Sequence, residues 1–164
     1  MTIQPISRRT LFGLTGMASV GLLMAGWPGE AARNPHFAVN HSPDQWRQML
    51  GAQRYAVLRT AATEPPFSSP LLKEHRKGVF VCAGCANPLF NSATKFESGT
   101  GWPSFWKPLS RAIVTEPDHS LMMERTEVLC ARCGGHLGHV FDDGPKPTGL
   151  RYCIDGLALK FRPA

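Results

Sequence analysis

The sequence has no low-complexity tract, no internal repeat beyond one short cysteine motif, no dense basic run and no apolar stretch of membrane-spanning length. Each absence narrows what the chain can be. The apolar run Leu11 to Ala25 carries no charge, but it is interrupted by glycines and falls short of the roughly 20 residues a helix needs to cross a bilayer. Lysine and arginine number 18 against 12 acidic residues, a formal charge of +6, yet they are scattered. Their densest group is Lys73, Arg76 and Lys77, which reads as a solvated basic face and gives no signal of nucleic-acid binding. At 164 residues the chain has no room for a second domain.

The N-terminus has the order of an export signal. Twin arginines, Arg8 and Arg9, precede the short apolar run, and small residues follow at Gly29 and Ala31. We therefore expect residues 1–32 to be a twin-arginine-type signal segment cleaved near Ala31 or Ala32, with an uncleaved signal anchor as the alternative and the only route to a membrane. The expected destination is outside the cytoplasm, in the periplasm. Removing the signal leaves about 132 residues, enough for one core burying roughly two thirds of its unfolded surface. Residues 33–41 read as a linker and 42–164 as the folded domain.

Ser42-Pro43-Asp44-Gln45 has the form of a helix start, with Ser42 as cap, Pro43 at the first helical position and Gln45 three residues after the cap. Trp46, Met49 and Leu50 share a face, Gly51 can end the helix, and Tyr55, Val57 and Leu58 suggest a second short one before Pro65 and Pro66 forbid continuation. Beyond a possible turn of helix after Pro70, short β-type segments alternate with Gly, Pro and Asp: Gly78 to Val81, Ala112 to Thr115, Leu121 to Thr126, His136 to Phe141, Arg151 to Ile154 and Leu157 to Phe161. The expected fold is mainly β, twisted antiparallel sheets with short N-terminal helices in front.

Cysteine is scarce and unevenly placed. Four of the five fall into two C-x-x-C pairs, Cys82 with Cys85 and Cys130 with Cys133, separated by 44 residues. Each pair delivers two thiolates from one tight turn, and two such turns close a tetrahedral four-sulfur shell of the structural zinc type, one ion per chain. Two disulfides or a redox-active pair are the competing readings; Gly84, Gly134 and Gly135, which permit tight turns, favour zinc. An oxidising compartment would tend to pair these thiols, so the metal is expected to be loaded before export.

The fifth cysteine, Cys153 in Arg151-Tyr152-Cys153-Ile154-Asp155, is left free for chemistry. His136 and His139 lie in Gly135-His136-Leu137-Gly138-His139-Val140-Phe141. Three residues apart in a strand, they should face opposite ways, but Gly138 can bulge the chain and turn both toward one pocket. They are either surface or core histidines, or proton donors beside the thiol. Gly99-Thr100-Gly101-Trp102-Pro103-Ser104-Phe105-Trp106 is either ordinary core or the wall of a pocket for an apolar, polarisable group.

These motifs together resemble the B-type peptide-methionine (R)-S-oxide reductases. The resemblance rests on Lys95 to Phe105, Gly134 to Phe141, Arg151 to Ile154, the two knuckles and Thr63-Glu64-Pro65-Pro66-Phe67, and covers about residues 42 to 162. It implies a twisted antiparallel β fold and thiol-dependent reduction of the R epimer of methionine sulfoxide in oxidised proteins or peptides. It further implies that Cys153 is the nucleophile, that His136 and His139 act around the sulfoxide oxygen, and that Trp102, with Phe141, binds the substrate.

Two departures from the family pattern stand out. Asp155 replaces the usual asparagine just after the nucleophile; ionised, it cannot donate a hydrogen bond and its charge opposes thiolate formation, so slower chemistry is expected unless Asp155 is protonated or turned away. Thr100 stands where many members carry a resolving cysteine, so an oxidised Cys153 must be reduced by an external thiol, a thioredoxin-like protein or a small molecule, unless a knuckle cysteine resolves it in a metal-free form. Two other readings remain at this point. A zinc-knuckle binding module with a basic face leaves Cys153 and the histidines unexplained, and a thiol-disulfide oxidoreductase needs a reactive C-x-x-C.

Overall fold

The computed structural model describes residues 37–120 and 123–164. The expected signal segment and residues 33–36 of the expected linker lie outside the described residues.

The helix expected at Ser42 forms as α1, Pro43–Thr60. Ser42 accepts from the Gln45 backbone N–H at 3.3 Å while the Gln45 side chain accepts from the Ser42 N–H at 2.9 Å, the reciprocal pair that satisfies two of the open donors at a helix start. The two short helices expected are one element broken at Gly51, whose φ of 70° and ψ of 171° are not helical. The second half ends at Ala61 in the left-handed conformation, and a short 3-10 turn follows at Pro70–Lys73.

Among the described residues nine strands follow: β1 Gly78–Cys82, β2 Pro88–Asn91, β3 Lys95–Phe96, β4 Ser104–Phe105, β5 Ile113–Asp118, β6 Arg125–Cys130, β7 His136–Phe141, β8 Arg151–Ile154 and β9 Leu159–Pro163. Every pairing is antiparallel, in a three-stranded sheet β2-β1-β9 and a six-stranded sheet β3-β4-β8-β7-β6-β5. The fold is therefore mainly β, as expected.

The strand expected at Leu121 to Thr126 is displaced. Its true span, Arg125–Cys130, places Val128, Leu129 and Cys130 in the core, while Asp118 holds the preceding turn by accepting from the Ser120 N–H at 2.8 Å and from Arg125 at 2.7 Å. Leu121 and Met122 lie outside the described residues; Met123, which follows them, is exposed and precedes the strand, because burial decides which residues join the sheet more than local hydropathy does.

Three phenylalanines join the two sheets. Phe90 of β2 stacks on Phe105 of β4 with centroids 4.3 Å apart, and Phe80 of β1 meets Phe105 edge-on at 5.0 Å. All three are fully buried, a contribution of about 2 to 3 kcal/mol each. The helix packs at the other end: a Cβ on Gly84 would sit 3.5 Å from Trp46 and 3.6 Å from Leu58, so the small residue in the first knuckle makes room for α1.

Candidate functional site

The two knuckles have the same backbone. In the first, the Ala86 N–H donates to Cys82 O at 2.9 Å; in the second, the Gly134 N–H donates to Cys130 O at 2.8 Å. The residue after each second cysteine is left-handed, Ala86 at φ 60° and Gly134 at φ 64°. The turns bring all four sulfurs within 4.8 Å of one another, with Cys82 to Cys133 at 3.8 Å and Cys85 to Cys130 at 3.6 Å. Sulfurs at about 2.3 Å from a tetrahedral ion are about 3.8 Å from each other, so the cluster could hold a metal ion such as zinc. Hydrogen bonding with Cys130 pushes the Cys82 and Cys133 thiols up, while Cys133 draws Cys130 down: four thiolates do not coexist here without a cation. Arg59 anchors the second knuckle from α1 by donating to Cys133 O at 2.9 Å.

Cys153 lies apart from this cluster, in the middle of the six-stranded sheet. Its strand, β8, runs between β4 and β7, so its cross-strand neighbours are Ser104 and His139. The sulfur is partly buried and 3.7 Å from the Thr100 hydroxyl. Burial pushes the thiol up from its ordinary pKa, and the Thr100 hydrogen bond and the Arg151 cation pull against it. Thr100 belongs to a hydroxyl chain that continues through Ser98 at 2.8 Å to Ser104 at 2.7 Å.

The two histidines do converge. Between β6 and β7 the register shifts at Val128 and Leu129: Val128 faces Gly138 and Leu129 faces His136, which leaves Leu137 without a partner on β6. That extra residue restores His136 and His139 to one side, with ring centroids 5.5 Å apart. Gly138 is essential to the arrangement, since a Cβ there would lie 2.1 Å from Cys153 O. His136 is buried, with Nδ1 at 2.5 Å from Glu127 and Nε2 at 3.8 Å from Asp155. His139 Nε2 is 2.8 Å from Asp118, and burial draws its pKa down.

Asp155 is neither turned to solvent nor left bare. Its carboxylate accepts from the Glu64 N–H at 2.8 Å, and burial raises its pKa to about 6. Glu64, read from the sequence only as part of a helix stop and a motif, is the hub of the site. Its side chain accepts from the N–H groups of Gly156 at 2.6 Å and Leu157 at 3.0 Å, and its carbonyl accepts from the Trp102 indole at 3.1 Å. One buried residue thus fixes both Trp102 and the turn following Cys153. Trp102 is partly exposed beside that turn, and Ile154 N–H donates to Pro103 O at 2.9 Å.

Phe141 is placed differently from Trp102. Its ring is a platform for Arg151, whose guanidinium carbon lies 4.3 Å from the centroid and which forks onto Asp143 with two 2.7 Å contacts. The structure therefore ties Phe141 to the cation beside Cys153.

A free partly buried thiol with a hydroxyl at 3.7 Å, a cation on its own strand and a histidine as its cross-strand neighbour, apart from a separate sulfur cluster, is the setting of thiol redox chemistry on a small polar group. The SelR domain model matches residues 50–163. The chain belongs to the SelR domain family. Within that family it is similar to a peptide methionine sulfoxide reductase MsrB of Bradyrhizobium diazoefficiens, 59% identical over 126 residues that span 76% of this chain and 91% of the relative. The protein of the same name from Leptospira interrogans is 52% identical over 128 residues, 77% of this chain and 98% of the relative. The SelR match encompasses both knuckles, Glu64, Trp102, both histidines and Cys153.

Proposed function

We propose that this chain is a peptide methionine sulfoxide reductase acting on the R epimer in oxidised proteins and peptides, with Cys153 as its nucleophile. The observation that carries the reading is the position of Cys153: it is the one cysteine outside the cluster, and His139 is its neighbour on the adjoining strand.

The Cys153 thiolate attacks the sulfoxide sulfur. As the oxygen passes to Cys153 with a proton drawn from the imidazole side of the pocket, the substrate sulfur gains two electrons and leaves as methionine. Cys153 is oxidised to sulfenic acid. An external thiol then attacks Sγ, water departs, and a mixed disulfide forms; a second thiol releases Cys153 and leaves as the oxidised half of a disulfide. Thr100 supports an external reductant, because at 3.7 Å from Sγ it offers a hydroxyl and no second sulfur. Trp102, held by its indole N–H, would receive the methyl group, and only one epimer can then direct its oxygen to the histidines.

Cys82, Cys85, Cys130 and Cys133 would hold one zinc ion, which supplies a structural cross-link between the two halves of the chain. Arg8, Arg9 and the apolar run after them support delivery outside the cytoplasm, where the enzyme would repair exported proteins.

The test is turnover of a peptide carrying separate R and S epimers with excess dithiothreitol, by the purified protein and by Cys153→Ser. The R epimer alone should disappear, and the variant should lose at least about a thousandfold in kcat/KM while unfolding at the same temperature. Consumption of neither epimer by folded, zinc-loaded protein would sink the proposal.

A further inference from the structure

Phe67 carries two costs that the fold does not need. It is a large apolar residue left 70% exposed, and its φ of 63° lies in the left-handed region that glycine and asparagine adopt readily and aromatic residues rarely do. Among the described residues the other non-glycine positions at positive φ are Ala61, which closes α1, Ala86, which closes a knuckle, and Arg111. None of them is a large apolar side chain.

The strained conformation is held from two sides. Phe67 N–H donates to Gly101 O at 2.7 Å. Gly101, itself at φ 95°, has no Cβ, and one there would lie 2.7 Å from Pro66 and 3.1 Å from the Phe67 ring. The strap Glu64 to Phe67 is thereby fixed to Gly101-Trp102 at both ends, at Trp102 through the Glu64 carbonyl and at Gly101 through the Phe67 amide. The ring is carried over Gly101, the residue before Trp102, and stays exposed. Strain and exposure at one residue next to a reaction site mark a position kept for contact with something that arrives.

We propose that Phe67 is a specificity-determining residue that contacts the apolar side chain neighbouring the oxidised methionine in a peptide substrate. This rests on the reductase reading above and deepens it. Trp102 takes the reacting residue, and Phe67, one residue away across the strap, takes the residue beside it. Oxidised methionines in protein cores and amphipathic segments are flanked by such side chains, and unfolding or oxidation brings them to the surface. The enzyme would accordingly favour methionine sulfoxide in apolar surroundings over the same group among glycines.

The experiment compares two peptides containing R-methionine sulfoxide, one flanked on both sides by leucine and one by glycine, with wild type, Phe67→Gly and Phe67→Asn. Wild type should prefer the leucine peptide by about tenfold in kcat/KM, the size of effect one buried apolar contact gives. Both variants should erase that preference, with the glycine peptide turned over within about twofold of wild type and the thermal midpoint unchanged or raised, since both residues accept φ 63° without strain. A wild type without preference, variants that keep it, or an equal fall on both peptides with a lowered midpoint would each overturn the proposal, the last by assigning Phe67 to the fold. Wild-type protein that reduces neither peptide would fail the reductase reading itself, a result distinct from any of these.

Discussion

The four-cysteine cluster and the Cys153 pocket both depend on sulfur, and they are assembled by opposite means. In the cluster the backbone does the work: two turns of the same geometry, closed by N–H to carbonyl bonds of 2.9 and 2.8 Å, set the four thiols in place. Around Cys153 the backbone supplies only the sheet, and the environment comes from side chains of separate segments: Glu64 before the strands, Thr100 in a loop, His136 and His139 on β7, Arg151 at the start of β8 and Asp155 just after it. A site built by turns should respond to change in an all-or-none way. A site built by converging side chains should respond in steps.

The largest effect expected falls on the cluster. Removing the metal with a strong chelator, or one ligand through Cys130→Ser, should cost about 5 kcal/mol or more and lower the thermal midpoint by about 15 °C, read by calorimetry alongside zinc content. If activity falls while the midpoint holds, the cluster is not the structural half of the comparison.

Glu64→Gln should be next, and graded. The amide can no longer accept from both Gly156 and Leu157, so a buried N–H loses its partner. A loss of about 2 kcal/mol in stability and a 10- to 30-fold fall in kcat/KM are expected with zinc content unchanged. Steady-state kinetics with metal analysis separates this from damage to the cluster.

Asp155→Asn should be smaller and dependent on pH. Burial raises the folded pKa to about 6, above the ordinary 3.8, so the folded state holds this proton more tightly than the unfolded state does. Its contribution to stability is therefore full below the unfolded pKa and is lost as pH rises through about 6, which leaves an ionised buried carboxylate at neutral pH. The asparagine variant should be more stable than wild type by about 2 kcal/mol near pH 8, with the difference vanishing below about pH 4 in urea titrations. Its single-turnover rate near pH 8 should rise about threefold, because one negative charge opposing the Cys153 thiolate is gone. An unchanged or lower rate would show that the charge of Asp155 does not govern the thiol.

The smallest effects separate the two knuckles. Ala86→Gly should add about 0.5 to 1 kcal/mol by relieving a left-handed alanine at φ 60°. Gly134→Ala should lose about 2 kcal/mol, because its Cβ would lie 2.3 Å from the Phe37 ring at a φ of 64°. Chemical denaturation of both variants reads the difference directly.

What was legible in the sequence follows the same division. The helix start at Ser42, the cluster ligands and the odd cysteine were readable because each depends on residues close in sequence. The meeting of His136 and His139 needed a bulge, and the glycine beside it was the visible signal, although the unpaired residue is Leu137. Glu64 was missed as a hub since its partners at Asp155, Gly156 and Leu157 are brought to it only by the finished fold. Strands β3 and β4, at two residues each, are too short for any alternation to show. The pairing of Phe141 with Arg151 was not visible, because it is decided by register between β7 and β8.

The pairing of β1 with β9 has a consequence for how the protein is made. β1 ends at Cys82, and its outer neighbour β9 is the last strand in chain order. Cys82 and Cys85 therefore emerge from the ribosome well before Cys130 and Cys133, and before the strand that holds their turn in place. During that interval two thiols travel on an unfinished nascent chain, so a metal ion that needs all four sulfurs would be captured late, and until then the first knuckle would be open to oxidation.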